Sequence, residues 1–298
     1  MAGDEAAVLG DTRQHWLVGS GGLYWSGDTA TWQTSGDYQF RVTSLVRQQD
    51  RVCVGTTCGV WAVQADSARW IQLNDETVTE VLDLAVVSGD PGVVVASAYG
   101  LAVGCRDELG AVRWAERTAG LEVRERYANA IAIDPADPGR WLVGTEAGVL
   151  VAEDDARKWS HTGLLGTPVR TIVHRLGSWW AGTDTRGMWQ SRDGLSWRRA
   201  GRGLDSGTVV SLGEAGGRLL GGTTEGVVIG DGTGHWVRKG PRALVAAIGV
   251  DPVDADHWLI GAVPGGLWST ADGGDSWRYR PDLPGRVETI LPPEGRAE

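Results

Sequence analysis

Phenylalanine occurs once in these 298 residues, methionine twice, and lysine only at Lys158 and Lys239, against 16 tryptophans and 45 glycines. No apolar run approaches the roughly 20 residues needed to span a bilayer, and Met1–Gly10 lacks the basic stretch and apolar run of a secretory leader. No stretch carries apolar residues at helical spacing, so little or no helix is expected. Cys53, Cys58 and Cys105 are too few and too irregular for a disulfide framework. Cys53 and Cys58 lack the second pair that a zinc site needs. These absences point to a soluble, cytoplasmic protein with no cofactor and no metal. The net charge of −10 and pI near 5.0 disfavour nucleic acid and anionic membrane as partners. Of 28 basic residues two are lysine, leaving 26 arginines. That bias fits a GC-rich genome, or the salt-adapted cytoplasm of a halophilic archaeon.

What is present is a repeat. A tryptophan recurs at Trp32, Trp70, Trp114, Trp159, Trp197, Trp236 and Trp277. An aspartate precedes each, at Asp28, Asp66, Asp107, Asp154, Asp193, Asp231 and Asp272, and a glycine precedes that, at Gly22, Gly59, Gly100, Gly148, Gly187, Gly226 and Gly266. Three markers holding one register seven times define seven units, ending near 36, 74, 119, 163, 202, 240 and 283, with 284–298 left as a closing strand and tail. Each unit reads as four short strands. In the fifth these are Val169–His174, Ser178–Thr183, Met188–Ser191 and Ser196–Ala200. A four-stranded unit of about 42 residues cannot cover both its faces alone, and a ring of neighbours can. The expected fold is an all-β, seven-bladed β-propeller of four-stranded antiparallel blades, one domain over 1–298. In it each tryptophan begins a fourth strand and wedges between blades, and each aspartate accepts backbone N–H groups in the preceding turn. Glycine pairs such as Gly216-Gly217 and Gly221-Gly222 precede no helix and read as hairpin turns rather than phosphate loops.

The segment Thr270-Ala271-Asp272-Gly273-Gly274-Asp275-Ser276-Trp277 resembles the Asp-box, S/T-x-D-x-G-x-T/S-W. Ser191–Trp197 and Ser26–Trp32 resemble it with one residue fewer, and the other four units keep only Asp and Trp. Ile133–Pro138 and Val250–Asp254 resemble the loop between strands one and two in the same family. The chain is thus similar to Asp-box propellers, which include sialidases, xyloglucan-cleaving glycosidases, sortilin-type receptors and photosystem II assembly factors. The resemblance implies the fold and leaves function open. A sialidase would need three arginines on the substrate carboxylate, a Tyr–Glu nucleophile pair and an acid. Phe40–Leu45 resembles the segment supplying the first arginine but lacks its proline, and Arg286–Leu291 repeats the pattern as a generic first strand. Xyloglucan-cleaving relatives use two facing propellers with a carboxylate from each; this chain has one. His15, His161, His174, His235 and His257 fall in different units at unlike places and read as surface or turn residues. No catalytic set is assigned.

The binding surface is expected on the face opposite the Asp-box turns. There the inter-blade loops carry Tyr38, Arg41, Arg124, Arg126, Tyr127, Arg202, Arg242 and Tyr279, and the turns between strands two and three add Tyr99, Glu146, Asp184, Arg186 and Glu225. Tyrosine and arginine are the types enriched at interaction hot spots. The longest connection, Ala115–Ala128, is expected to contact a protein partner. These residues suggest a non-enzymatic scaffold, with a carbohydrate-binding or sialidase-like propeller as the alternative. Both Ala6–Gly10 and Arg286–Leu291 read as a first strand for blade one; a C-terminal clasp is favoured because closure removes sheet edges.

Overall fold

The computed structural model describes residues 9–36, 40–48, 51–67, 69–89, 91–201, 203–204, 207–230, 234–283 and 285–295. They form seven four-stranded antiparallel sheets, each hydrogen-bonded in the order first to fourth strand from the axis outward. The chain is a seven-bladed all-β propeller. Blade five has Val169–Arg175, Ser178–Thr183, Met188–Ser191 and a fourth strand cut to Arg198–Arg199. Among the described residues helix is confined to a turn of 3-10 helix at Thr12–Gln14 and one α-turn, α1, at Val123–Arg126.

The ring is closed by the C-terminus. Thr289–Leu291 pairs antiparallel with Trp16–Gly19, so the last strand of the chain is the innermost strand of blade one. The rival segment Ala6–Gly10 lies outside the described residues except for Leu9 and Gly10. Leu9 is wholly buried between blades one and two, and the Gly10 N–H donates to the Ala65 carbonyl, 2.9 Å.

Why a ring forms is visible in where the apolar side chains go. The described buried residues make seven clusters, each spanning two adjacent blades, and each holds one tryptophan of the repeat. Trp114, for example, packs with Cys53, Val60 and Leu73 of blade two and Val81 and Val95 of blade three. The blades therefore share their cores pairwise. The indole N–H groups are less uniform than the rings. Trp70, Trp114 and Trp236 donate across the blade boundary to the carbonyls of Ser35, Leu73 and Ala200 at 2.9, 2.9 and 2.7 Å. Trp197 and Trp277 donate within their own turns, to Gly194 and Gly274. Nor do all seven begin a fourth strand. Trp32, Trp197 and Trp277 precede it, while Trp114 and Trp159 lie inside it.

Gly216-Gly217 is a hairpin turn, but Gly221 and Gly222 lie inside the second strand of blade six, Arg218–Thr223. A β-carbon at 222 would collide with the Val245 carbonyl of blade seven, so this glycine admits the neighbouring blade. The carboxylates before the tryptophans also divide. Asp28 accepts from the N–H groups of Ala30 and Thr31 and from the Ser26 hydroxyl, at 2.8, 2.9 and 3.0 Å. Asp193 repeats this with Leu195, Ser196 and Ser191, and Asp272 with Ser276 and Thr270. Those bonds stabilise the ionised form and hold each of the three carboxyls down to about 2. Asp107 accepts from Leu109 and Ala111. Asp154 instead sits at φ 54° and faces Arg157 and Lys158. Asp231 lies outside the described residues.

Candidate functional site: the channel mouth and its loops

First strands from all seven blades surround an axial channel of about 640 Å³. In six of them the pairing register to the second strand slips by one residue near the start, leaving Thr43, Leu82, Asn129, Arg170, Val210 and Ala246 as the extra residue of a β-bulge. Glu288 holds the same place before the closing strand. A bulge re-aims a side chain that the pleat would otherwise send into the sheet. All seven line the channel, and they rim the end that carries the inter-blade loops and the turns between strands two and three.

The charges on this rim are matched within the chain. Arg170 reaches Glu146 and Asp184, both at 2.5 Å, and one of its N–H groups also contacts Asn129 Oδ1 at 3.3 Å. Glu288 accepts two bonds from Arg41, 2.6 and 2.8 Å, and a further one from Arg286. The Asp184 and Glu288 carboxylates in turn raise the guanidinium pKa of Arg170 and Arg41 respectively. Arg41 and Asp184 of the expected surface thus belong to ion pairs on the rim.

Deeper in the channel wall, Asp83 joins three blades. Its Oδ1 accepts from the Ser44 hydroxyl of blade two at 3.0 Å and from the N–H of Leu84 at 2.9 Å, and its Oδ2 accepts from the N–H of Ile131 in blade four at 3.0 Å. It lines the channel and is half-buried there. That desolvation outweighs the three hydrogen bonds and pushes its carboxyl up to about 6.

A second group gathers beside the mouth. The connection from blade three to blade four spans 117–127 and contains α1, which packs beside the turn at Tyr99: a β-carbon on Gly100 would lie 3.7 Å from the Arg126 carbonyl. Tyr99 is 66% and Val123 83% exposed. Arg124 donates to the Glu146 carbonyl at 2.7 Å and Arg126 to the Leu121 carbonyl at 2.9 Å. Both guanidinium groups are therefore positioned by backbone oxygens, and among the described residues neither meets a carboxylate. Glu125 caps α1 by accepting from the Glu122 N–H at 2.9 Å, and contacts His161 at 2.6 Å. Tyr127 is half-buried at the end of this loop. Arg186 and Arg242 are exposed on the same face, away from the group. Tyr38 and Arg202 lie outside the described residues. Tyr279 is not in a loop: it belongs to the fourth strand of blade seven, Arg278–Arg280, with its ring 5.2 Å from that of Trp268.

Asn129, Arg170, Glu288 and Asp83 were not among the expected site residues. Their signal was the residue or two following the small apolar residue at the start of each first strand, valine in six blades and Ala128 in blade four, as in Val169-Arg170 and Val287-Glu288. Simple alternation assigns those positions to the wrong face, because a bulge breaks the two-residue period.

No family model and no curated protein matches the chain. Solved structures resemble it in fold. The extracellular domain of a protein described as a one-component system, from B. thetaiotaomicron, is 15% identical with a TM-score of 0.63, over 95% of this chain and 48% of that one. A GH74 xyloglucanase from Xanthomonas campestris is 16% identical with a TM-score of 0.67, over 95% and 53%. The WD40 domain of Pan2 from Neurospora crassa is 12% identical with a TM-score of 0.60, over 83% and 81%. The chain spans about half the length of the first two. At such identities the likeness is one of fold.

Proposed function

We propose that this propeller is a non-catalytic scaffold that binds a protein partner through the face carrying the inter-blade loops. The observation that carries this reading is the group at Tyr99, Val123, Arg124 and Arg126. It combines exposed apolar surface, an aromatic ring and two arginines pre-positioned by backbone carbonyls, the composition and rigidity of an interaction hot spot. The Asp-turns face the other way; we read those at Asp28, Asp193 and Asp272 as Asp-boxes that brace the blades. Free thiols at the exposed Cys58 and Cys105 support a reducing, intracellular setting. The carbohydrate-cleaving alternative draws no comparable support from the mouth. Glu146, Asp184 and Glu288 each already accept from an arginine of the same rim, so these carboxylates are engaged in ion pairs within the chain.

The test is affinity capture from native lysate with wild-type protein and a Tyr99→Ala/Val123→Ala/Arg124→Ala variant. A partner held by the wild type and lost from a variant of unchanged melting temperature is the expected result. Equal recovery by both, or none by either, rejects the surface.

A further inference from the structure

Between blades five and six the repeat is broken in a way that opens a second site. In the register set by the first strands, the second strands of the other six blades carry Leu17, Cys53, Val94, Leu142, Leu220 and Leu259 at one position. All six are fully buried against the next blade. Blade five has Trp180 there, only half-buried. Beside it in the third strand is Gln190, where four other blades have Ala62, Val103, Val151 and Ile229 and the remaining two have Trp25 and Ser269. Beside that in the fourth strand is Arg198. The cluster at this boundary has six buried side chains among the described residues, against eight to eleven at the others. A cleft of about 370 Å³ takes the place of the missing core.

The cleft is furnished. The Trp180 and Trp236 indoles both line it, and each is fixed by its own N–H, donating to the Arg175 carbonyl at 3.1 Å and the Ala200 carbonyl at 2.7 Å. Arg198 donates to Gln190 Oε1, and the Gln190 amide donates to the Ser178 hydroxyl at 3.2 Å, a relay that holds one guanidinium across the blade. Arg218 enters from blade six. No described carboxylate lines the cleft or pairs with either arginine. Two immobilised indoles supply faces for a flat ring, and two guanidinium groups supply forked donors for an anion. The volume lies within the range of small-molecule pockets.

We propose that this cleft binds an aromatic carboxylate, its ring against Trp180 and Trp236 and its carboxylate accepting from Arg198 and Arg218. The carboxylate belongs to a free small acid or to the aromatic C-terminal residue of a peptide; the chemistry recognised is the same. The cleft opens beside the loops between strands one and two, on the side away from Tyr99 and α1, so it stands or falls independently of the partner surface.

The probes are cinnamate and the peptide Gly-Gly-Phe, each beside its neutral amide, titrated into the full chain by calorimetry. The expected result is saturable binding of at least one acid, at least about tenfold tighter than its amide, as a charge-assisted contact requires. Cinnamate alone marks a small-molecule site, and Gly-Gly-Phe alone marks a peptide terminus. Arg198→Gln/Arg218→Gln is expected to weaken binding at least tenfold at unchanged melting temperature. Trp180→Leu/Gln190→Val copies the Leu142–Val151 pair of blade four and is expected to abolish binding while leaving the protein at least as heat-stable. Absence of binding by both acids, equal binding of acid and amide, or full binding by the arginine variant would overturn the proposal.

Discussion

Val169 of blade five fills the hollow left by the missing side chain of Gly144 in blade four: a β-carbon at 144 would stand 2.7 Å from its Cγ1. The same fit recurs around the ring. Val42 meets Gly19, Val81 meets Gly55, Val209 meets Gly182, Val245 meets Gly222 and Val287 meets Gly261. At the one remaining boundary the pair is Ala96 and Ala128, a larger residue in the hollow and a smaller one facing it. The contact thus conserves volume across the interface.

Gly144→Ala is therefore expected to destabilise the fold by about 1–3 kcal/mol through overpacking. Gly144→Ala/Val169→Ala, which copies the Ala96–Ala128 arrangement, is expected to recover most of the loss. Urea denaturation of the four proteins in a double-mutant cycle measures the coupling. Additive effects would show that the two residues do not share this space.

Arg47 ties the two chain ends to blade two. Its guanidinium donates to the carbonyls of Thr12, His15 and Pro292 at 3.0, 2.6 and 2.5 Å. Burial lowers its pKa to about 10, so it stays charged at neutral pH. Arg47→Met leaves three carbonyls without this donor and is expected to cost about 2–4 kcal/mol. Faster amide exchange at Ile290 should accompany the loss, because the closing strand Thr289–Leu291 lies next to Pro292. Unchanged exchange there would mean that the clasp does not depend on Arg47.

Asp83 gives stability a pH dependence of unusual sign. Its folded pKa, near 6, lies above the unfolded value near 4, so the folded state holds the proton more tightly. Its contribution is present at acidic pH and is lost as pH rises from about 4 through about 6, to a total on the order of 3 kcal/mol. Asp83→Asn keeps two acceptor contacts available and removes the titration. Unfolding free energies taken between pH 4 and 7 should fall with pH in the wild type relative to the variant, which should be the more stable above pH 6. Parallel profiles would refute this.

The aspartates of the turns act in the opposite direction and in a lower window. Asp28, Asp193 and Asp272, held down to about 2, contribute stability that is present above about pH 4 and lost as pH falls through about 2. Asp272→Ala is expected to lower the melting temperature at neutral pH. Asp66→Ala, whose carboxylate makes no such turn contacts among the described residues, should leave it unchanged. Equal effects of the two substitutions, measured by differential scanning calorimetry, would show that sequence position rather than hydrogen bonding decides the role.

Much of the architecture could be read from residues alone because its cause is repeated seven times. Trp70, Trp114 and Trp236 keep register with the other tryptophans since each must fill one blade boundary. Asp193 and Asp272 are legible because an Asx-type turn is a local event of a few residues. The mouth was less legible. Arg41 and Asp184 stood out as loop residues, yet of their partners Arg170 sits at a bulge in a strand and Glu288 at the equivalent place just before the closing strand. Their partners are 14 and 247 residues away in the chain. Tyr279 was misplaced because a two- or three-residue outer strand leaves no periodicity to detect. The α1 turn escaped notice because four residues are too few to show a helical period.

The amino-acid sequence by itself determined the number of blades, their four-strand plan and the indole at each boundary. Those depend on short-range periodicity and on a unit that cannot cover its own faces. Only the tertiary structure decided which terminus closes blade one, which side chains the bulges turn into the channel, and where Trp180 and Gln190 leave a boundary unfilled. Each of these is settled by packing between segments far apart in the chain, where volume and hydrogen bonding must be satisfied jointly and no local pattern records the outcome.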